Sequence, residues 1–254
     1  MNYKRSKYFS TSNKEKIKYF YLNNKNPIAV VFFHGFMSDM IGEKPTAIEK
    51  FCRKKKLNFL KFEYSGHGRS SGKFIEGNIS KWTSEAKQII KSKINKNQKV
   101  IFIGSSMGSW IALNLFSLFK KQIKGFIGIA SAPEFLEELM WKKFNKKIKK
   151  TIMKKKIYYV EKDGWGYPIT KQLILDGKKN KVLKMRLKNK ILVTMFHGAK
   201  DDVVPINFSR KVLKIFPRAT KKLFIIKKGD HSLSKKNYLD RMCKNLDRMI
   251  KNIT

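Results

Sequence analysis

Two patterns of apolar and polar positions take turns along the chain. Short, unbroken apolar runs at Ile28–Phe33, Lys99–Ile103, Phe126–Ala130 and Ile191–Phe196 have the length and β-branching of strands buried on both faces. Between them, apolar residues recur at helical spacing. Pro45–Lys56 gathers Ala47, Ile48, Phe51 and Cys52 on one face, and Asn78–Ile94 gathers Trp82, Ala86, Ile89 and Ile90. Ser109–Phe119 is apolar enough to be a helix buried all round. Leu57–Tyr64 and Leu223–Ile226 read as further strands, Asn207–Ile215 and Lys235–Ile250 as further helices. Ile17–Leu22 alternates weakly and is short, as an edge strand would be, and the polar dozen residues before it are expected to fray. Strands alternating with helices predict βαβ units and a mostly parallel sheet, an α/β fold with helices on both faces.

The rhythm breaks between Pro133 and Lys188. Here stand Glu134, Glu137 and Glu138, a lysine-rich run over Lys146–Lys156, and the aromatics Phe135, Trp141, Phe144, Tyr158, Tyr159, Trp165 and Tyr167. The stretch is expected to be a lid of short helices or turns inserted into the sheet order. The division is then core 1–132, lid 133–188 and core 189–254, with no repeat and no flexible linker.

One pentapeptide carries the chemistry: Gly104-Ser105-Ser106-Met107-Gly108, directly after a predicted strand and directly before a predicted helix. G-x-S-x-G in that context is a nucleophile elbow, a turn so sharp that the central residue is strained and aimed outward. Only Ser106 has glycine two positions away on both sides, so Ser106 and not Ser105 is the candidate nucleophile. A serine hydroxyl needs a base, and the base an orienting acid. His34 and His197 each sit in a His-Gly pair ending a strand, where a loop-structuring role is expected, and His67 sits in a glycine turn. His231 follows the strand Leu223–Ile226 at the carboxyl edge of the sheet, where sites in such sheets gather, and is the candidate base. The loop His197-Gly198-Ala199-Lys200-Asp201-Asp202 offers the acid as Asp201, with Asp202 as its rival. The order Ser106, Asp201, His231 is that of α/β hydrolases. The backbone N–H groups of Met107 and Phe36 are candidate donors to the oxyanion.

Composition changes the picture little. The 254 residues are 42% hydrophobic, enough for a large core. A formal charge of +40 attracts anions, nucleic acid and acidic membranes. Yet of the 58 basic residues only Arg5, Arg53, Arg69, Arg186, Arg210, Arg218, Arg241 and Arg248 are arginine, and the lysines are spread throughout. That pattern points to compositional bias and to no specific nucleic-acid partner. Cys52 and Cys243 have neither disulfide-framework nor metal-ligand spacing, which fits a reducing compartment. The basic start Met1–Arg5 has no apolar h-region after it, and no window is long and apolar enough to span a bilayer. A cytoplasmic protein is expected, with no metal and no organic cofactor.

Taken together, these residues resemble the α/β-hydrolase superfamily from Ile17 to the C-terminus. Phe36–Lys44, Tyr64–Gly72, Lys81-Trp82 and Gly104–Trp110 are more narrowly similar to the mitochondrial palmitoyl-protein thioesterase and acyl-glucuronide esterase group and its bacterial relatives. That resemblance implies nucleophile, acid and base at Ser106, Asp201 and His231, and a small-molecule or acylated-protein substrate. Glu63 stands where that group often has Asp, and Ser109 where it often has Gly. A serine hydrolase of carboxylic esters or thioesters is the leading expectation. Carbon–carbon bond hydrolysis or acyl transfer on the same residues, and a basic nucleic-acid- or membrane-binding protein with a vestigial site, are the alternatives.

Overall fold

The computed structural model describes residues 6–162 and 165–253. Along the first half run β1 (Lys7–Ser10), β2 (Lys16–Leu22), β3 (Ile28–Phe33), α1 (Glu43–Lys54), β4 (Asn58–Phe62), α2 (Ile79–Lys93), β5 (Lys99–Ser105), α3 (Met107–Asn114) and β6 (Ile123–Ile129). There follow α4 (Lys146–Lys155), β7 (Ile157–Lys162), β8 (Trp165–Thr170) and α5 (Lys171–Lys179). The chain then closes with β9 (Leu192–Gly198), α6 (Asn207–Ile215), β10 (Thr220–Ile226) and α7 (Lys236–Lys251).

Eight strands form one sheet in the order β1-β2-β4-β3-β5-β6-β9-β10. The pairs β1/β2 and β2/β4 are antiparallel, and the pairings from β4 through β10 are parallel. The unbroken apolar runs are explained by two buried faces. Along β3, Ala29, Val31 and Phe33 join one core cluster with Trp82 and Ile89 of α2, Ile111 of α3 and Val212 of α6. Ile28, Val30 and Phe32 join the other, with Ile48 and Cys52 of α1 and Met242 and Leu246 of α7. Register aligns the carboxyl ends of the strands: Phe33 pairs with Gly104, Ser105 with Ile129, Ile129 with Phe196, and Gly198 with Ile226. The loops leaving β3, β5, β9 and β10 therefore open on one edge.

Four expectations are corrected. Of the residues expected to fray, Lys7–Ser10 form β1; residues 1–5 lie outside the described ones. β2 is consequently not the edge strand, since β1 covers it on one side and β4 on the other. β1 escaped the hydrophobic pattern because only Phe9 packs on the core, while Tyr8 is exposed with the Lys18 ammonium 5.8 Å from its ring centroid. The helix expected to reach Phe119 ends at Asn114, where bonds to the third residue back, Leu115 to Ala112 and Phe116 to Leu113, tighten the chain. Segment 133–188 holds, besides α4, α5 and a π-helical turn at Leu136–Trp141, the antiparallel hairpin β7/β8. The sequence Asp163-Gly164 between its strands is a strong hairpin signal, but these two residues and the Trp165 ring lie outside the described part. The segment's exit is tied to its start, because the buried Glu134 accepts the N–H groups of Val182 (2.8 Å) and Leu183 (2.7 Å). Among the described residues, no helix is long and apolar enough to cross a membrane.

Candidate active site

Ser106 is the turning residue between β5 and α3, with φ 50° and ψ −118°. A positive φ at a side chain other than glycine costs on the order of 1–3 kcal/mol and persists only where the surroundings impose it. Both glycines of the motif are part of that imposition. A Cβ at Gly104 would lie 2.5 Å from Ser109 Cα, and one at Gly108 would lie 2.2 Å from the Phe33 carbonyl oxygen. The backbone of Ser106 is also held by β6 and the chain beyond it: its N–H donates to Ile129 O (2.9 Å) and its carbonyl accepts from Ala132 N (3.2 Å). Ser109 fits where the resembled group often has Gly because its buried hydroxyl donates to Gly104 O (2.7 Å) and accepts from Ser131 Oγ (2.9 Å).

The loops after β9 and β10 bring the other two residues to this turn. His231 Nε2 lies 3.2 Å from Ser106 Oγ, and His231 Nδ1 lies 2.9 Å from Asp201 Oδ2. An ionised carboxylate only accepts, so Nδ1 carries the proton and Nε2 is left bare to accept the serine hydroxyl. The Asp201 side chain is fully buried. Burial alone would raise its pKa, but hydrogen bonds from His197, His231 and the Val204 N–H outweigh it and hold the carboxyl far below the usual carboxylate range. Asp202, the rival, is exposed, and the His231 ring meets Asp201. Gly198 is required where these two loops touch, since a Cβ there would lie 2.4 Å from the carbonyl oxygens of Gly229 and Asp230.

His197 does more than structure a loop. Its fully buried ring lies with Nε2 3.2 Å from Asp201 Oδ2 and 2.8 Å from Val204 O, and with Nδ1 2.8 Å from Ser209 Oγ. No spacing rule singled it out; the loop's return onto its own strand end is a tertiary fact. The His231 loop is likewise tied down. Asp230 Oδ1 accepts from Leu233 N and Ser232 Oγ, and Lys44 Nζ donates to Ser232 O (2.5 Å).

The turn after β3 backs onto Ser106, where a Cβ at Gly35 would lie 3.4 Å from Ser106 Cβ. Phe36 packs its ring edge-on against Phe74, Phe135 and Tyr167, at centroid distances of 5.0, 5.4 and 6.1 Å. Met107 is the first residue of α3, so its N–H has no acceptor within the helix. His34 and His67 lie beneath this turn with ring centroids 5.1 Å apart, both buried. Glu63, buried at the end of β4, accepts the Arg69 N–H at 2.7 Å, and burial raises its pKa. The glycine at position 68 is needed because a Cβ would meet that carboxyl at 2.3 Å.

A family model described as Hydrolase_4 (serine aminopeptidase, S33) matches residues 25–172, which include Ser106 but neither Asp201 nor His231. The mitochondrial palmitoyl-protein thioesterase ABHD10 of Bos taurus is 27% identical over 96% of this chain and 79% of its own. Its Homo sapiens counterpart is 27% identical over 90% and 74%. Among solved structures, mouse alpha/beta hydrolase domain-containing protein 10 superposes with a TM-score of 0.88 at 25% identity, over 98% of this chain and 99% of its own. Est1E from Butyrivibrio proteoclasticus, at a TM-score of 0.79 and 18% identity over 97% and 98%, shares the fold. With its mostly parallel sheet and its strand–serine–helix turn, the chain is an α/β hydrolase and belongs to the Hydrolase_4 family.

Proposed function

We infer that the protein hydrolyses carboxylic esters or thioesters through an acyl-enzyme on Ser106. The observation that carries this reading is the hydrogen-bonded line from Ser106 through His231 to Asp201 across three strand ends. His231 Nε2 takes the hydroxyl proton as Oγ attacks the acyl carbon, and Asp201 stabilises the imidazolium that forms. The N–H groups of Phe36 and Met107 receive the developing oxyanion. Collapse of the tetrahedral intermediate expels the alcohol or thiol, protonated by His231. A water molecule, deprotonated by the same ring, then releases the acid and restores Ser106.

The substrate class rests on similarity and on lining. The relatives carry the name palmitoyl-protein thioesterase, and Phe36, Phe74, Phe135 and Tyr167 make an apolar wall around the turn that backs onto Ser106, a surface that suits an acyl chain. Segment 133–188, which supplies two of those rings, acts as the lid over that wall, and the substrate is an acylated small molecule or an acylated protein. Labelling by a fluorophosphonate tests the reading, since the reagent needs an activated serine. The expected result is one labelled site, lost in Ser106→Ala, together with turnover of acyl thioesters. Undiminished hydrolysis by Ser106→Ala would overturn it.

A further inference from the structure

We propose that His34 and His67 are positioning residues that clamp the Gly35-Phe36-Met37 turn from below and so aim the Phe36 N–H at the acyl oxygen. The inference rests on the proposed reaction and assigns a task to His67, which the sequence offers only as a glycine-turn residue.

The hydrogen bonds leave each ring a single tautomer. A backbone N–H can only donate. Tyr64 N donates to His34 Nε2 (3.3 Å), so that nitrogen is bare and Nδ1–H donates to Gly35 O (2.8 Å). Met37 N donates to His67 Nε2 (3.3 Å), so Nδ1–H of His67 donates to Ser65 O (3.2 Å). Both rings must therefore be neutral, and burial favours that in both: His34 is held well below its ordinary pKa and His67 is lowered to about 4.

These bonds grip the peptide on either side of Phe36. Gly35 O is taken by His34 and by Ser38 N (3.3 Å), which turns the carbonyl of the Gly35–Phe36 peptide toward them. In a planar trans peptide the N–H of Phe36 then leaves in the opposite direction. On the other side, Met37 stands at φ 51° with an exposed side chain, a left-handed conformation that packing of that side chain cannot impose. Two bonds hold Met37 there: Ser38 N to Gly35 O, which closes a turn with Met37 at its third position, and the Met37 N–H to His67, which is itself wedged between Phe74 and Trp82 with ring centroids 5.1 and 5.0 Å away. The chain of support thus runs from α2 and the turn after β4 to the candidate oxyanion donor.

His67→Phe keeps the ring among its aromatic neighbours and removes the acceptor; His67→Gln removes the ring and keeps a neutral acceptor. An oxyanion donor acts in the transition state, so kcat should fall in His67→Phe by about 10- to 100-fold, less than the 10²–10³ typical of deleting a donor. KM for the same ester should stay within about twofold, and affinity for a trifluoromethyl ketone should fall with kcat. His67→Gln should retain most of kcat. A folded His67→Phe with undiminished kcat would overturn the clamp, as would a folded His67→Gln as impaired as His67→Phe. Folding of the variants is not the only recourse. Two-bond proton–nitrogen correlation spectra of the wild-type protein read the His67 tautomer directly, and a protonated Nε2 would overturn the proposal. A wild-type protein with no hydrolysis and no fluorophosphonate adduct would sink the proposed function instead, leaving the tautomer to decide the clamp.

Discussion

Asp201 faces four donors with two oxygens: Val203 N and Val204 N on Oδ1, His231 and His197 on Oδ2. Its carboxylate stays ionised through any assay range, because the folded state holds its pKa far below that of the unfolded chain. Replacing it by Asn supplies a donor where His231 needs an acceptor and forces the wrong tautomer. We expect Asp201→Asn to lower kcat by about 10⁴, while Asp202→Asn leaves it within a few-fold. Steady-state kinetics of the two variants checks this, and the reverse order would reassign the acid. His67 makes the opposite kind of pH statement. Its folded pKa is about 4 against an unfolded 6.5, so the unfolded chain binds the extra proton between those values. The stability it contributes is whole above pH 6.5 and is lost as pH falls toward 4, by about 3 kcal/mol at 1.36 kcal/mol per unit. Urea unfolding of wild type and His67→Gln across that range should show the difference shrinking at the acid end.

At the scale of elements, legibility followed local information. β3, β5, α2 and α6 are readable because their apolar residues and caps are contiguous: Asn78, just before α2, caps it by accepting Lys81 N at 2.8 Å. The convergence of Ser106, Asp201 and His231 is readable too, since each ends or follows a strand whose order the α/β pattern predicts. His197 and His67 were not, because their partners lie across a loop closure or in the turn that follows another strand. β1 carries too little apolar surface to register, and the lysines and aromatics around β7 and β8 blur their alternation, so that Asp163-Gly164 was the signal that could have revealed the hairpin. The exit of segment 133–188 hangs on Glu134 in the same non-local way. Glu134→Ala leaves the N–H groups of Val182 and Leu183 without that acceptor. We expect a loss of about 2–3 kcal/mol in unfolding free energy. Limited proteolysis should show faster cleavage near residue 185, and an unchanged melting temperature would contradict it.

The whole molecule carries +40 charges whose lysines are spread along the entire chain. A field of that sign draws anions toward the surface from beyond contact distance and weakens as salt shortens its reach, to about 8 Å at physiological ionic strength. For an acyl thioester with an anionic leaving portion, kcat/KM should fall as salt rises; for a neutral ester of the same acyl group it should barely move. Stopped-time assays over a salt series compare the two, and equal slopes would show that charge has no part in capture. An amide of the same acyl group should be the poorest substrate, because its amine must leave protonated and its carbonyl is resonance-stabilised.

The elbow at Ser106 makes the protein a compromise that a stability screen would undo. With φ at 50°, position 106 suits glycine better than serine. Ser106→Gly should therefore melt higher than the wild type while losing all turnover. Variants chosen for heat resistance alone would drift toward inactive chains, so any thermostabilisation of this protein has to be selected on activity after heating.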